Sequence, residues 1–207
     1  MAQSDEKTKV RADAMGYLVT HYKGDADVKA VCTAALSEKS YLVISAGLMA
    51  LSKENPQAAM QKSKELENEN SDNIRFTIMD LYSNYGDDSN NPFFVKQKDN
   101  FTGFESIGFV NVYGQYLKHC IKDETVLNGA SVLKSYTEKG KNLYVKYSAQ
   151  KALKDLVKMY QDKEDELTSK LEDIKKQNGD ASSVNNQLTG VTATKAKLKE
   201  IYEAAKA

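Results

Sequence analysis

The amino-acid sequence predicts an all-α chain, and three observations carry that expectation. Only two prolines and eleven glycines interrupt 207 residues in which alanine, lysine, glutamate and leucine are abundant, a composition that favours helices over strands joined by tight turns. Apolar residues return at helical spacing: Val28, Val31, Cys32, Ala35 and Leu36 form one stripe, and Val43, Ile44, Gly47, Leu48 and Leu51 form the next. From residue 143 to residue 178 no breaker occurs, and Leu153, Val157, Tyr160, Glu164, Leu167, Leu171 and Ile174 make a heptad pattern with one charged member.

The elements follow in order. A first helix over residues 8–22 places Val10, Ala14, Met15, Leu18, Val19 and Tyr22 on one face, and Gly24 with Asp25 stops it and caps the next. Helices over 26–36 and 41–51 come after it, joined by Ser37, Glu38, Lys39 and Ser40, where the Ser40 hydroxyl is placed to accept from the first free amides of the following turn. Neither stripe can be buried alone, so the pair reads as an αα hairpin, the unit of helical solenoids. Asn55 before Pro56 is an N-cap with proline at the first helical position, opening a mostly solvent-facing helix to Leu66 marked by Ala59 and Met60. Residues 67–73 form a polar loop, and Ile74, Ile78, Leu81, Tyr82 and Tyr85 define the next helix.

Beyond the turn at 86–92 the chain is rich in aromatics, with glycines at 103, 108 and 114 that permit close packing or a break. It reads as a short helix to about residue 98 and a second over 104–120, the rings serving as core. A helix over 124–138 uses Val126, Leu127, Ala130, Leu133 and Tyr136 and stops at Gly140. The long helix from Leu143 is turned back by Asn178, Gly179 and Asp180. A return helix over 183–206, with Val184, Leu188, Val191, Leu198 and Ile201 on its stripe, is expected to pair with it antiparallel.

Charge and motifs exclude several functions. Lysine plus arginine balances aspartate plus glutamate at 29 each, so no net field draws the chain to nucleic acid or to an anionic membrane. No apolar run reaches membrane-spanning length, and the segment MAQSDEKTK lacks the apolar region of a signal peptide. Cys32 and Cys120 lie far apart on helical stripes without a CxxC pairing, and are expected to be buried thiols rather than a disulfide or metal pair. His21 and His119 sit near helix ends, where an imidazolium complements the helix dipole. Arg11 and Arg75 are the only arginines; both begin predicted helices and are read as inter-helix ion pairs rather than carboxylate clamps. The segment GDDSNNP lacks the ligand spacing and following glutamate of an EF-hand loop and reads as a turn. No nucleophile turn or glycine-rich phosphate loop occurs.

One resemblance adds to this reading. The Val10-Arg11 pair, Ala14 and Leu18, followed by the Ser40-Tyr41 entry and the face of Ala46 and Leu51, resembles HEAT-like repeats. With Phe93-Phe94 after a loop, the segment Tyr113 to Leu117 and the segment Tyr147 to Val157, the chain resembles the C-terminal helical domain of the aminopeptidase-N family of zinc metallopeptidases, in a bacterial version. The likeness covers about residues 10–160; the last hairpin is outside it.

The resemblance implies an irregular HEAT-like αα superhelix over 1–142, and the residue pattern adds the long antiparallel helical hairpin over 143–207 that ends it. It implies no catalytic residue, no cofactor and no metal ligand here. The family's zinc is held by an H-E-x-x-H helix in a preceding domain, and neither His21 nor His119 opens such a motif. The expected role is that of a non-enzymatic wall, partnered with the catalytic domain of a parent polypeptide, that shapes access to its active site. The alternative is a free-standing adaptor that binds other proteins, or a second copy through the terminal hairpin, with no nucleic acid or membrane partner. Localisation is left open.

Overall fold

The computed structural model describes residues 1–138 and 141–206. The described chain is all-α, with ten α-helices, one 3₁₀ turn and no strand. It divides into two compact units, Met1–Gly86 and Asp87–Ala207, the second holding both residues 87–138 and the long hairpin.

The first unit holds α1 (Thr8–His21), α2 (Ala26–Ala35), α3 (Tyr41–Glu54), α4 (Pro56–Glu65) and α5 (Asp72–Tyr85). Helix α3 is its centre and packs against the other four. The reason lies in its sequence: Val43, Ile44, Gly47, Leu48 and Ala50 are buried, and so are Ser45 and Ser52, which leaves α3 little polar surface. Met15, Ala35 and Val43 form one apolar cluster, and Val19, Cys32 and Ala50 a second, so α1, α2 and α3 meet in a layer of small side chains. Gly47 permits that approach, since a Cβ there would stand 2.9 Å from the Ala35 Cβ.

Local signals set most boundaries. Gly24 takes a positive φ of 85°, and Asp25 accepts from the amides of Asp27 and Val28 at 2.8 and 3.1 Å to start α2. Asn55 accepts from Ala58 N at 3.1 Å with Pro56 opening α4. Ser40 holds the N-cap position of α3, but its hydroxyl takes no cap hydrogen bond, contrary to the sequence expectation; extended backbone at that residue is enough to start the helix. Tyr22 and Tyr85, expected on apolar faces, are exposed, Tyr22 because the helix has already ended at His21.

The second unit begins with a 3₁₀ turn at Asp88–Asn90, followed by α6 (Asn91–Gln97), α7 (Glu105–Leu117), α8 (Asp123–Ser135), α9 (Leu143–Lys176) and α10 (Ser182–Lys206). The expected stop at Gly140 lies outside the described residues. Helix α9 packs along α7, α8 and α10, and α8 also meets α6, α7 and α10. The inward face of α9 is Val145, Ala149, Ala152, Leu153, Leu156 and Tyr160, then Leu171. This is a broad helical stripe rather than a narrow heptad seam, because the first half of α9 is covered from more than one side. The turn to α10 forms as Asn178 adopts a positive φ of 52°, Gly179 N reaches back to Ile174 O at 3.0 Å, and Asp180 accepts from Ser182 N at 2.9 Å.

Candidate functional site

The groups with the chemistry for catalysis are mostly engaged in holding helices together. The 86–92 turn is organised by its own acids: Asp87 accepts from Ser89 N at 2.8 Å, while Asn90 accepts from Asp87 N at 3.0 Å, closing a capping box. The Asp88 carboxylate accepts from the amides of Ile121 and Lys122, both at 3.1 Å, just ahead of α8. Burial alone would raise the Asp88 pKa, but hydrogen bonds from Thr125, Ile121 and Lys122 outweigh it and leave the group below the ordinary carboxylate value. Among the described residues no cluster of three or more His, Cys, Asp or Glu is arranged to hold a metal ion.

The aromatic segment forms the core of the second unit. Phe94 stacks on Tyr113 and Tyr116 at centroid distances of 5.0 and 4.4 Å, and Phe109 lies 5.5 Å from Tyr113 and 5.6 Å from Tyr136. Each tyrosine hydroxyl has an acceptor: Tyr113 donates to Asn91 Oδ1, Tyr116 to Asp87 O, Tyr136 to Lys98 O and Tyr160 to Asp123 Oδ1. Burial raises the Tyr113, Tyr116 and Tyr160 hydroxyls and pushes Tyr136 up to about 12, so these are fixed donors rather than acid-base groups near neutrality. Asp123 also accepts from Thr194 of α10 at 2.8 Å. One carboxylate thus ties α8, α9 and α10.

The other residues picked out from the sequence are separated and structural. Cys32 and Cys120 are both free and buried; burial raises both thiols, Cys120 to about 11. His21 ends α1 against the Tyr17 ring at 4.2 Å, and His119 follows α7 within 3.3 Å of Gln115 Nε2. Arg11 lies 3.5 Å from Glu38, midway along the α2–α3 link, and donates to Asp5 O at 2.6 Å. Arg75 pairs instead within α5, donating to Asp72 one turn earlier at 2.6 Å, because its helix starts at Asp72 and supplies the nearer acid. Glu164, the charged interruption in the heptad, accepts from Thr192 at 2.7 Å and pairs with Lys195, so it fastens the hairpin.

What remains is a surface. Phe104 (68% exposed), Leu143 (77%), Tyr144 (64%) and Tyr147 (66%) lie at the neighbouring starts of α7 and α9, with the Phe104 and Tyr144 rings 6.3 Å apart. Tyr147 also borders a groove of about 420 Å³ between α7 and α9. Its floor is shallow because Gly114 and Ala152 bring the helices together, a Cβ at Gly114 falling 2.8 Å from the Ala152 Cβ. Asn111, Gln115, Lys118, Lys151 and Asp155 line the rest. Lys118 and Lys151 share Asp155 Oδ2 at 3.2 and 3.3 Å. The sequence pattern assigns the aromatic segment to the core, and exposed Phe104 departs from that expectation. Tyr144 and Tyr147 fall off the Val145, Ala149, Leu153 stripe, and that phase difference is the signal that marks them as outward.

No protein-family model matches the chain, and no curated protein sequence is significantly similar to it. No helix among the described residues is long and apolar enough to cross a membrane.

Proposed function

We propose that this chain is a non-catalytic helical domain of a zinc aminopeptidase, HEAT-like in layering, that packs on a catalytic domain and shapes access to its active site. The observation that carries the reading is the exposed platform of Phe104, Leu143, Tyr144 and Tyr147. Contiguous large apolar side chains held in water at helix ends are the feature of a surface that another protein covers. The packing of α1 against α3 supports it as well, because the HEAT-like residues Ala14, Leu18, Ala46 and Leu51 lie on those two helices. The zinc belongs to the catalytic domain, and this chain contributes no ligand to it.

Two experiments test the proposal. The reading frame upstream of residue 1 is expected to encode an H-E-x-x-H helix; a stop codon close upstream refutes the parent-enzyme reading. Phe104→Asp with Tyr144→Asp, placed in the parent enzyme, is expected to loosen the domain and change the turnover of long peptides more than that of a single-residue amide substrate. Equal kinetics with both substrates would count against the platform. The adaptor alternative draws on the same platform and predicts instead that the isolated chain retains a soluble protein partner which the double variant loses. The isolated chain is expected to hydrolyse no peptide.

A further inference from the structure

The exposed side of α9 changes sign half-way along the helix. At about 100° per residue, Lys151, Lys154 and Lys158 share the outward face with Asp162, Asp165, Glu172 and Asp173 further on. All of these side chains are exposed. Several are neutralised within the helix: Lys151 by Asp155 at 3.3 Å, Lys158 by Asp162 at 2.8 Å, and Asp173 by Lys176 at 3.3 Å. Lys154 and Glu172 have no ion pair among the described residues. The helix is 34 residues long, roughly 50 Å, which gives a straight stripe, basic over its first half and acidic on balance over its second, where Lys176 stands on the same face but is paired with Asp173.

We propose that two copies of this chain associate through the outer face of α9, antiparallel, about a two-fold axis crossing the helix between Gln161 and Asp162. A parallel pairing would set lysine on lysine. The antiparallel one sets Lys158 against Asp165 and Lys151 against Glu172 of the second copy, and the symmetry makes each contact twice. Lys154 then lies within a turn of the second copy's acids, and Glu172 gains its cation. Exposed ion pairs contribute little individually, so the association is weak, concentration-dependent and strongly reduced by salt, its specificity coming from the sign pattern. Its charged contacts are distinct from the docking role proposed above, although Tyr147 of that platform continues the same face and comes opposite Lys176 of the second copy.

The test is sedimentation equilibrium of the 207-residue chain at about 50 mM and about 500 mM NaCl, with the dimer dissociation constant expected to rise about tenfold or more. K151E/K154E/K158E and D162K/D165K/E172K are each expected to sediment as monomers with unchanged helix content by circular dichroism. An equimolar mixture of the two is expected to form a heterodimer, which also shows that neither variant failed through misfolding. A chain that stays monomeric at low salt, variants that dimerise like the parent, or a mixture that does not reassociate would each overturn the proposal.

Discussion

The two units solve the same problem, burying helices against helices, with different side chains. In Met1–Gly86 the contacts between α1, α2 and α3 are made by small and aliphatic residues, with Met15, Ala35, Val43, Val19, Cys32 and Ala50 at their centre. In Asp87–Ala207 the centre is a stack of rings, Phe94, Phe109, Tyr113, Tyr116 and Tyr136, whose hydroxyls all find acceptors. The polar accounting differs in parallel. Among the described residues, the buried side-chain atoms without a partner, Arg11 Nε, Ser45 Oγ and Ser63 Oγ, all lie in the first unit. Ser45 and Ser63 leave their hydroxyls unpaired while Ser52 and Ser83 of the same unit donate to carbonyls one turn back, whereas each tyrosine of the ring stack carries its hydroxyl to the edge of the core, where carbonyl and side-chain oxygens accept it.

That contrast can be broken most sharply at Phe94, which is fully buried between two tyrosines. Phe94→Ala is expected to cost about 3–5 kcal/mol, read as a shift of the urea midpoint by far-UV circular dichroism, since the chain has no tryptophan to report. A loss below about 1 kcal/mol would mean that the ring stack is not the centre of the second unit.

Next is the polar tie. Asp123→Ala removes the acceptor of both Tyr160 and Thr194, and leaving two buried hydroxyls unpaired is expected to cost about 1–3 kcal/mol. In a double-mutant cycle with Thr194→Ala the two losses should not add, because they remove the same hydrogen bond.

Acid should act on the second unit through Asp88 and Asp155. Asp155 sits below the ordinary carboxylate value because hydrogen bonds and charge from Lys118 and Lys151 outweigh its burial, and Asp88 is lowered as described above. A carboxylate with a depressed folded-state pKa contributes stability that is present above its unfolded value of about 3.9 and lost as pH falls through the lower folded value. Urea midpoints measured from about pH 6 to about pH 3 should therefore fall towards acid, and Asp88→Asn should flatten that dependence.

The smallest effect, and of opposite sign, is expected in the first unit. Ser63 is fully buried with its hydroxyl unpartnered. Ser63→Ala is therefore expected to be neutral or to stabilise by up to about 1 kcal/mol; a clear destabilisation would show that the hydroxyl has a bonding role.

The number and order of helices were legible because each carries its own periodic stripe, and the starts of α2 and α4 because Asp25 and Asn55 act within three residues of themselves. The hairpin was legible for the same reason, with Asn178 and Gly179 stopping a long uninterrupted helix. What could not be read depends on partners distant in sequence. Nothing near Tyr116 points to the carbonyl of Asp87, and nothing near Asp123 points to Thr194, 71 residues on. The exposed platform was missed because a composition rule assigns aromatics to the interior, while the phase of Tyr144 and Tyr147 against Leu153 assigns them to water. Arg75 illustrates the converse, a long-range pairing expected where a local acid sufficed.

The placement of the two cysteines has a practical consequence. Each unit carries a single thiol, Cys32 in the first and Cys120 in the second, both buried and both with the thiol pKa raised by that burial. Alkylation by a maleimide must then wait for the surrounding helices to open. With mass spectrometry to distinguish the two labelled peptides, one reaction clocks the breathing of both halves of the chain, with no foreign probe inserted into either.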